Sequence, residues 1–390
     1  MYSKIQFINT MRVCYVSTYP PIECGIASYT KYLSEATEKL DQEVIIVSQN
    51  GAKGDYVFPV YSPLDNDIAT KLFHISSKLT PDIINIQHDY NLYGTDSGVQ
   101  LLDFLYRCKI ARLPTVTTLH TLYEDMDRTQ QIILESITAT SSAIIVHEDY
   151  QKETLINYFP AYQEKYFVVP HGVRDVKPVP DAKKLLGLEG KKVILLTGYF
   201  RPSKGFHRIV KIFPEIAAEL EDVVLLVTGK MRGLEFGEYR RYFFDLINSS
   251  PAINKIMVLS GQFPQHTFDT IMSAADVLAL PYEIGAQSGI LAQSAAFKVP
   301  VVMSPLQSFK HWNTEIQGGI IAETDEEYKQ ALLRLLKDDA YHARLRENIG
   351  KHTGKYLWSE VARKHLSIYE QKVEMLFTGA KYFYIPEKNE

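Results

Sequence analysis

Apolar residues in this chain follow two rhythms. Short runs dense in Val, Ile and Thr occur at RVCYVST (12–18), EVIIVSQ (43–49), IINIQ (83–87), TVTTL (115–119), AIIVH (143–147) and YFVVP (166–170). Helical stretches such as ASYTKYLSEATEKL and ILESITAT separate them. Near-continuous Val and Ile without polar alternation marks strands covered on both faces, the pattern of a parallel sheet with helices on each side. The polar stretch RDVKPVPDAKKLLGLEGKK (174–192), with its prolines, glycines and charges, breaks the rhythm and reads as a linker followed by a restart. Alternation resumes with VILLTG (193–198), VVLLVTG (223–229), KIMVLSG (255–261), VLALP (277–281) and VPVVMS (299–304). The expectation is an α/β protein of two doubly wound, Rossmann-like halves. The stretch YLWSEVARKHLSIYEQKVEML (356–376) has apolar residues at helical spacing and predicts a last helix. The expected division is 1–180, 181–352, and a helix with tail over 353–390 that returns to the first half. Residues 1–10 precede the first strand and read as an appendage, which leaves open whether Met1 or Met11 starts the chain.

Length agrees with this division, because 390 residues exceed the usual ceiling for one domain. The net charge of −4 gives no general attraction to nucleic acid or anionic lipid. Cys14, Cys24 and Cys108 are odd in number and lack metal-ligand spacing, which predicts reduced thiols in a cytoplasmic compartment. The first residues, MYSKIQFINT, hold neither a long apolar core nor a small-residue cleavage site. No window reaches the roughly 18 uninterrupted apolar residues of a membrane helix. A soluble cytoplasmic protein with at most peripheral membrane contact is expected.

In an open parallel sheet, ligands bind beyond the carboxyl ends of the strands, where helix N-termini converge. Gly25, in STYPPIECGIASYT, begins a helix after the first strand, where bare backbone amides can approach an anion; tight turns also use glycine. His88 and Asp89, followed by Tyr90, come directly after IINIQ, and His120 comes directly after TVTTL. Two histidines at neighbouring strand ends on the ligand edge point to function, His120 more strongly. In GYFRPSKGFH (198–207), Arg201 and Lys204 lie between a strand and a helix. The Arg fork and the Lys point charge add to the helix dipole there, which makes a phosphate clamp. In PYEIGAQSGILAQSAAFKVPVV (281–302), Gln287, Ser288 and Gly289 expose the first amides of a helix, Ala292, Ala295 and Ala296 allow close packing, and Gln293 faces the ligand edge. Asp125 and Asp127, like Asp65 and Asp67, have Asp-x-Asp spacing, yet they stand where helices begin and read as caps, so no metal site is expected.

These segments, with LHT, VVPHGV, SGQFP and AADVLALPY in the same order, resemble the group 1, or family 4, retaining glycosyltransferases of the GT-B fold. The resemblance implies two Rossmann-like domains facing a central cleft. It also implies a nucleotide diphosphate sugar, GDP- or UDP-linked, held mainly by the second domain, and a carbohydrate or lipid-linked hydroxyl acceptor held mainly by the first. Neither cofactor nor metal is implied. Carried over by position, Gly25 contacts the donor and His120 a donor-sugar hydroxyl near the anomeric centre. Arg201 and Lys204 neutralise the diphosphate, Gln287 and the amides of Ser288, Gly289, Ile290 and Leu291 extend that cradle, and Gln293 meets the ribose. His88, Asp89 and Tyr90 fall on the acceptor side. Two departures stand out. Gly285 and Gln293 occupy the places of the family's paired glutamates, with Glu283 available as a substitute, and Tyr199 stands where many members have an arginine. The expected function is transfer of a hexose, mannosyl or glucosyl, with retention of configuration. The alternatives are phosphorolysis, nucleotide-sugar epimerisation, or nucleotide-sugar binding without catalysis.

Overall fold

The structure, a computed structural model, describes residues 10–230, 236–261, 263–285 and 288–377, with side chains to 374. Gln287 and residues 1–9 lie outside the described residues, as does the tail beyond 377. The chain forms two compact units, one from the segments before Val173 and after Leu357, the other from Val173–Leu357.

The first unit holds the strands β1 (Arg12–Val16), β2 (Glu43–Gln49), β3 (Val57–Tyr61), β4 (Ile83–His88), β5 (Thr115–Leu119), β6 (Ala143–Val146) and β7 (Tyr166–Val168). They form one parallel sheet in the order β3-β2-β1-β4-β5-β6-β7. All six residues of β4 and all five of β5 are buried, as strands covered on both faces must be. One face packs Cys14, Val16, Ile84 and Ile86 against Phe104, Leu134 and Ile137. The other packs Val13, Tyr15 and Val116 against Leu33, Val361 and Tyr369. Each such side chain contributes roughly 1.5–3 kcal/mol of burial. The helix Trp358–Phe377 therefore belongs to this unit, with the Trp358 ring 4.9 Å from Tyr29 and 6.0 Å from Tyr32 of the helix Gly25–Glu38. Gly172 makes the close approach possible, because a Cβ there would lie 2.2 Å from the indole.

The second unit holds β8 (Lys192–Tyr199), β9 (Val223–Lys230), β10 (Ile256–Ser260), β11 (Val277–Leu280), β12 (Val301–Met303) and β13 (Gly319–Ile321). These too are parallel, in the order β10-β9-β8-β11-β12-β13. In each sheet the order of the strands reverses at one place, between β1 and β4 and between β8 and β11, while the strands stay parallel. Helices diverge there and leave a crevice at the strand ends, so these are the places for ligands.

Both sheets carry an edge strand that the apolar pattern does not reveal. β3 contains Pro59, which lacks an amide for the ladder, and only Tyr61 of its five residues is buried. β13 has three half-buried residues beginning at Gly319. An edge strand is covered on fewer sides and needs no continuous apolar run.

Candidate functional site

In the second unit two strand-end loops run against each other. The loop after β8 carries Arg201 and passes through the short turn Pro202–Lys204 to Gly205, which starts the helix Phe206–Glu219. Gly205 has φ +60°, and a Cβ on it would stand 1.9 Å from the Pro281 carbonyl, so only glycine lets this loop touch the one that follows β11. The Glu283 amide ties the two together by donating to the Ser203 carbonyl at 2.9 Å.

Tyr282 joins the candidate residues. Its buried ring lies beneath Lys204, whose Nζ is 3.5 Å from the ring centroid. Its hydroxyl accepts a hydrogen bond from Ser288 Oγ at 3.3 Å. Ser288 is also the N-cap of the helix Gly289–Phe297, accepting from the Leu291 amide at 3.3 Å. The amides of Gly289 and Ile290, in the first helical turn, have no intrahelical acceptor. Lys204, Tyr282 and this helix start are thus one connected group, with Arg201 beside it.

Charge is unbalanced there. Burial, reinforced by the Arg201 guanidinium, pushes Lys204 down to about 8 from 10.5. Arg201 Nε is buried without a partner, and its guanidinium sits 5.6 Å from the Tyr199 ring. Among the described residues neither cation is paired with a carboxylate. Two poorly hydrated positive charges beside unfilled helix amides make a receptor for an anion with several oxygens.

Glu283 points elsewhere, with its carboxylate 3.7 Å from His207 Nε2. His207 Nδ1 in turn lies 3.4 Å from the Tyr239 hydroxyl. A Cβ on Gly285 would make only ordinary contacts, 3.7 Å to Tyr282 and 3.8 Å to Leu306, so packing does not require glycine there. Gln293 Oε1 accepts from Arg174 Nη1 at 3.2 Å, while both Arg174 terminal nitrogens bind the Asp269 carboxylate at 2.8 Å. Burial alone would raise the Asp269 pKa, but the Arg174 hydrogen bonds and charge outweigh it and hold the carboxyl below its usual range. Sequence reasoning missed Arg174, Asp269, His207 and Tyr239. Arg174 and Asp269 are 95 positions apart, and no local pattern links them.

In the first unit the candidate residues follow β1, β4 and β5. Gly25 opens its helix behind Cys24, which makes no side-chain cap, and nothing lies within 4 Å of where a Gly25 Cβ would be. His88 is fully buried, its ring nitrogens have no hydrogen-bond partner among the described residues, and burial lowers its pKa to about 4. Asp89 accepts from Thr121 Oγ1, beyond β5, at 2.7 Å and, within its own turn, from the Asn91 amide at 3.1 Å. The Tyr90 ring meets the His88 ring edge-on at 5.1 Å.

His120 leaves β5 with its amide bonded to the His88 carbonyl at 3.1 Å and its Nε2 2.7 Å from Gln87 Oε1. The Tyr29 ring meets it edge-on at 4.6 Å, and His147 lies 5.2 Å away. Burial, together with neighbouring His147, His171, His88 and His365, keeps His120 well below the ordinary histidine range, so it is neutral at pH 7. His147 is anchored through Nδ1 to the Val169 carbonyl at 2.9 Å, and His171 packs at 5.3 Å from Tyr29.

Asp127 caps the helix Arg128–Thr140 in a capping box with Gln130, and Asp65 receives the Ser62 amide and Lys71. Among the described residues no three His, Cys, Asp or Glu side chains are arranged to hold a metal. No described helix is long and apolar enough to cross a membrane.

Comparison with known proteins matches two family models to successive parts of the chain: "Glycosyltransferase Family 4" over 24–176 and "Glycosyl transferases group 1" over 180–352. Among curated relatives, a phosphatidyl-myo-inositol mannosyltransferase of Mycolicibacterium smegmatis is 30% identical over 207 residues, 52% of this chain and 51% of that protein. A D-inositol 3-phosphate glycosyltransferase of Stackebrandtia nassauensis is 23% identical over 67% of this chain and 62% of that protein. The chain spans about half the length of the mannosyltransferases it matches. Among solved structures, a sucrose-phosphate synthase from Thermosynechococcus elongatus superposes with a TM-score of 0.75 at 17% identity, over 95% of this chain and 100% of that one. An Anabaena protein in complex with UDP and glucose gives 0.74 at 14% identity, over 93% and 100%. At these identities the structural likeness establishes the fold.

Proposed function

Because the chain belongs to the group 1 glycosyltransferases of GT-B fold, we propose that it transfers a hexose, mannosyl or glucosyl, from a UDP- or GDP-linked sugar to the hydroxyl of a carbohydrate or lipid-linked acceptor, with retention of anomeric configuration. The observation that carries this reading is the pair of cations, Arg201 and Lys204, which no carboxylate among the described residues pairs, set beside the helix start at Ser288. When the bond from sugar to diphosphate breaks, negative charge grows on the departing phosphate. Preorganised cations and amides favour that state over the intact donor, which lowers the barrier without a side-chain nucleophile. Asp269 is committed to Arg174 and is not free for covalent chemistry.

Gln293 offers an amide where a carboxylate would bind a ribose diol more strongly. The amides of Gly289 and Ile290 are assigned to the donor, with the Leu291 amide held by its Ser288 cap and Glu283 turned to His207, and Gly25 and His120 of the first unit are assigned to the donor as well. Asp89 and Tyr90 are assigned to the acceptor, with His88 buried behind them. The cations already present leave no task for a metal at the diphosphate. The relatives and neighbours support this reading through the mannosyl and inositol names of the former and the UDP and glucose of the latter.

The test is a thermal-shift panel of UDP, GDP, ADP and their sugars. At least one nucleoside diphosphate should raise the melting temperature of the parent and raise it less in Lys204→Ala. Absence of any shift across the panel would overturn the reading. Binding of a donor with no turnover over a broad acceptor panel would favour a nucleotide-sugar receptor instead, the role suggested by the missing glutamates.

A further inference from the structure

A buried line of polar side chains in the first unit leads to His120. Thr118, Asn85 and Gln87 are fully buried on the neighbouring strands β4 and β5. Asn85 Nδ2 donates to Thr118 Oγ1 at 3.4 Å, Gln87 Nε2 donates to Asn85 Oδ1, and Gln87 Oε1 is left facing His120 Nε2 at 2.7 Å. The Gln87 main chain is itself pinned, its carbonyl accepting from the buried Tyr93 hydroxyl at 2.9 Å. Polar groups so deep must find partners within the protein, and with Gln87 Nε2 spent on Asn85 Oδ1 it is Gln87 Oε1 that meets His120.

We propose that Gln87 is a positioning residue for His120, which with Asn85 and Thr118 fixes the imidazole as the Nε2–H tautomer and leaves Nδ1 as a bare acceptor for a ligand hydroxyl. An amide oxygen can only accept, so the proton between Gln87 and His120 belongs to the imidazole. In a neutral ring the other nitrogen then carries a lone pair. His120 Nδ1 has no hydrogen-bond partner among the described residues, and the residue keeps part of its surface open. The edge-on Tyr29 ring and the His147 ring hold the imidazole plane. What Nδ1 recognises must therefore bring its own proton, as a sugar hydroxyl does and a phosphate oxygen or carbonyl does not.

That ligand class rests on the glycosyl-transfer reading, whereas the tautomer does not. Both are separated by long-range proton–nitrogen NMR of the full chain labelled with ¹⁵N-histidine, with the His120 signals assigned by their loss in His120→Asn. The parent at neutral pH should show His120 protonated at Nε2 and bare at Nδ1. Gln87→Glu, which keeps an acceptor, should retain that tautomer and move the His120 titration to higher pH. Gln87→Met should shift the pattern towards Nδ1–H. A parent protonated at Nδ1, or a tautomer indifferent to Gln87→Met, overturns the proposal, and the parent spectrum alone decides should either variant fail to fold. A parent with the expected tautomer that binds no nucleotide sugar leaves the proposal standing and fails the functional reading.

Discussion

Replacing Lys204 by methionine separates what the site does for a ligand from what it does for the fold. Methionine keeps the apolar stem over Tyr282 and removes only the ammonium. The lost charge-assisted contact to phosphate is worth roughly 1.5–3 kcal/mol, or about ten- to 150-fold in affinity. The ligand-free protein should respond in the opposite sense. A lysine lowered from 10.5 to about 8 by burial, with Arg201 adding to it, opposes the charged form by ~3 kcal/mol. This penalty is fully present below about pH 8, where folded and unfolded states are both protonated, and disappears above 10.5, where both are neutral. The cation–π contact with Tyr282, worth roughly 0.5–2 kcal/mol, offsets part of it. Lys204→Met should therefore be as stable as the parent at pH 7, or more so, while binding nucleoside diphosphate at least ten times more weakly. Parent affinity should also fall as pH rises past 8, and the variant should lose that dependence. Calorimetric titration with UDP and GDP at pH 7 and 9, beside urea denaturation, reads all three quantities. A variant with parental affinity and the same pH profile would refute the reasoning.

Other consequences are as direct. Asp269→Ala removes the carboxylate that balances the largely buried Arg174 charge and should cost about 3 kcal/mol in urea denaturation, whereas Gln293→Ala, which removes one weaker bond, should cost less than about 1 kcal/mol. His88, His147 and His365 are pushed by burial to about 4, 3 and 4, below the unfolded value of 6.5. Their neutral forms stabilise the first unit fully above pH 6.5, and that contribution is lost as pH falls through 6.5 towards 4; a urea midpoint unchanged between pH 7 and 5 would contradict this. Turnover should survive EDTA, and loss of activity restored by Mg²⁺ or Mn²⁺ would return Asp125 and Asp127 to consideration.

The fold class was legible because parallel strands buried on both faces need unbroken apolar runs, and IINIQ and VLAL could serve as little else. The edge strands were not, since Pro59 and Gly319 obey the looser demands of a sheet margin. At the candidate site, glycines and cations at strand ends signal themselves through spacing, as Arg201, Lys204 and Gly205 do. Tyr282 gave no such signal: within VLALPY it reads as one more apolar residue, and only the structure shows its ring under Lys204 and its hydroxyl on Ser288. Arg174 was hidden differently. It stands among prolines and charges that suggest a linker, and its partner comes from a helix far along the chain. Gln87 lay in a strand and read as part of it, because a hydrogen-bond relay leaves no periodicity.

The central claim is that this chain moves a hexose from a nucleotide diphosphate to a hydroxyl with Arg201 and Lys204 receiving the departing diphosphate. Its most direct measurement is acceptor-dependent release of nucleoside diphosphate from UDP- and GDP-linked glucose and mannose, with the product's anomeric configuration read by NMR. The account predicts one preferred donor, a product with the donor's configuration, and kcat lowered at least tenfold in both Arg201→Met and Lys204→Met. Inverted product, or full turnover in both variants, would contradict it.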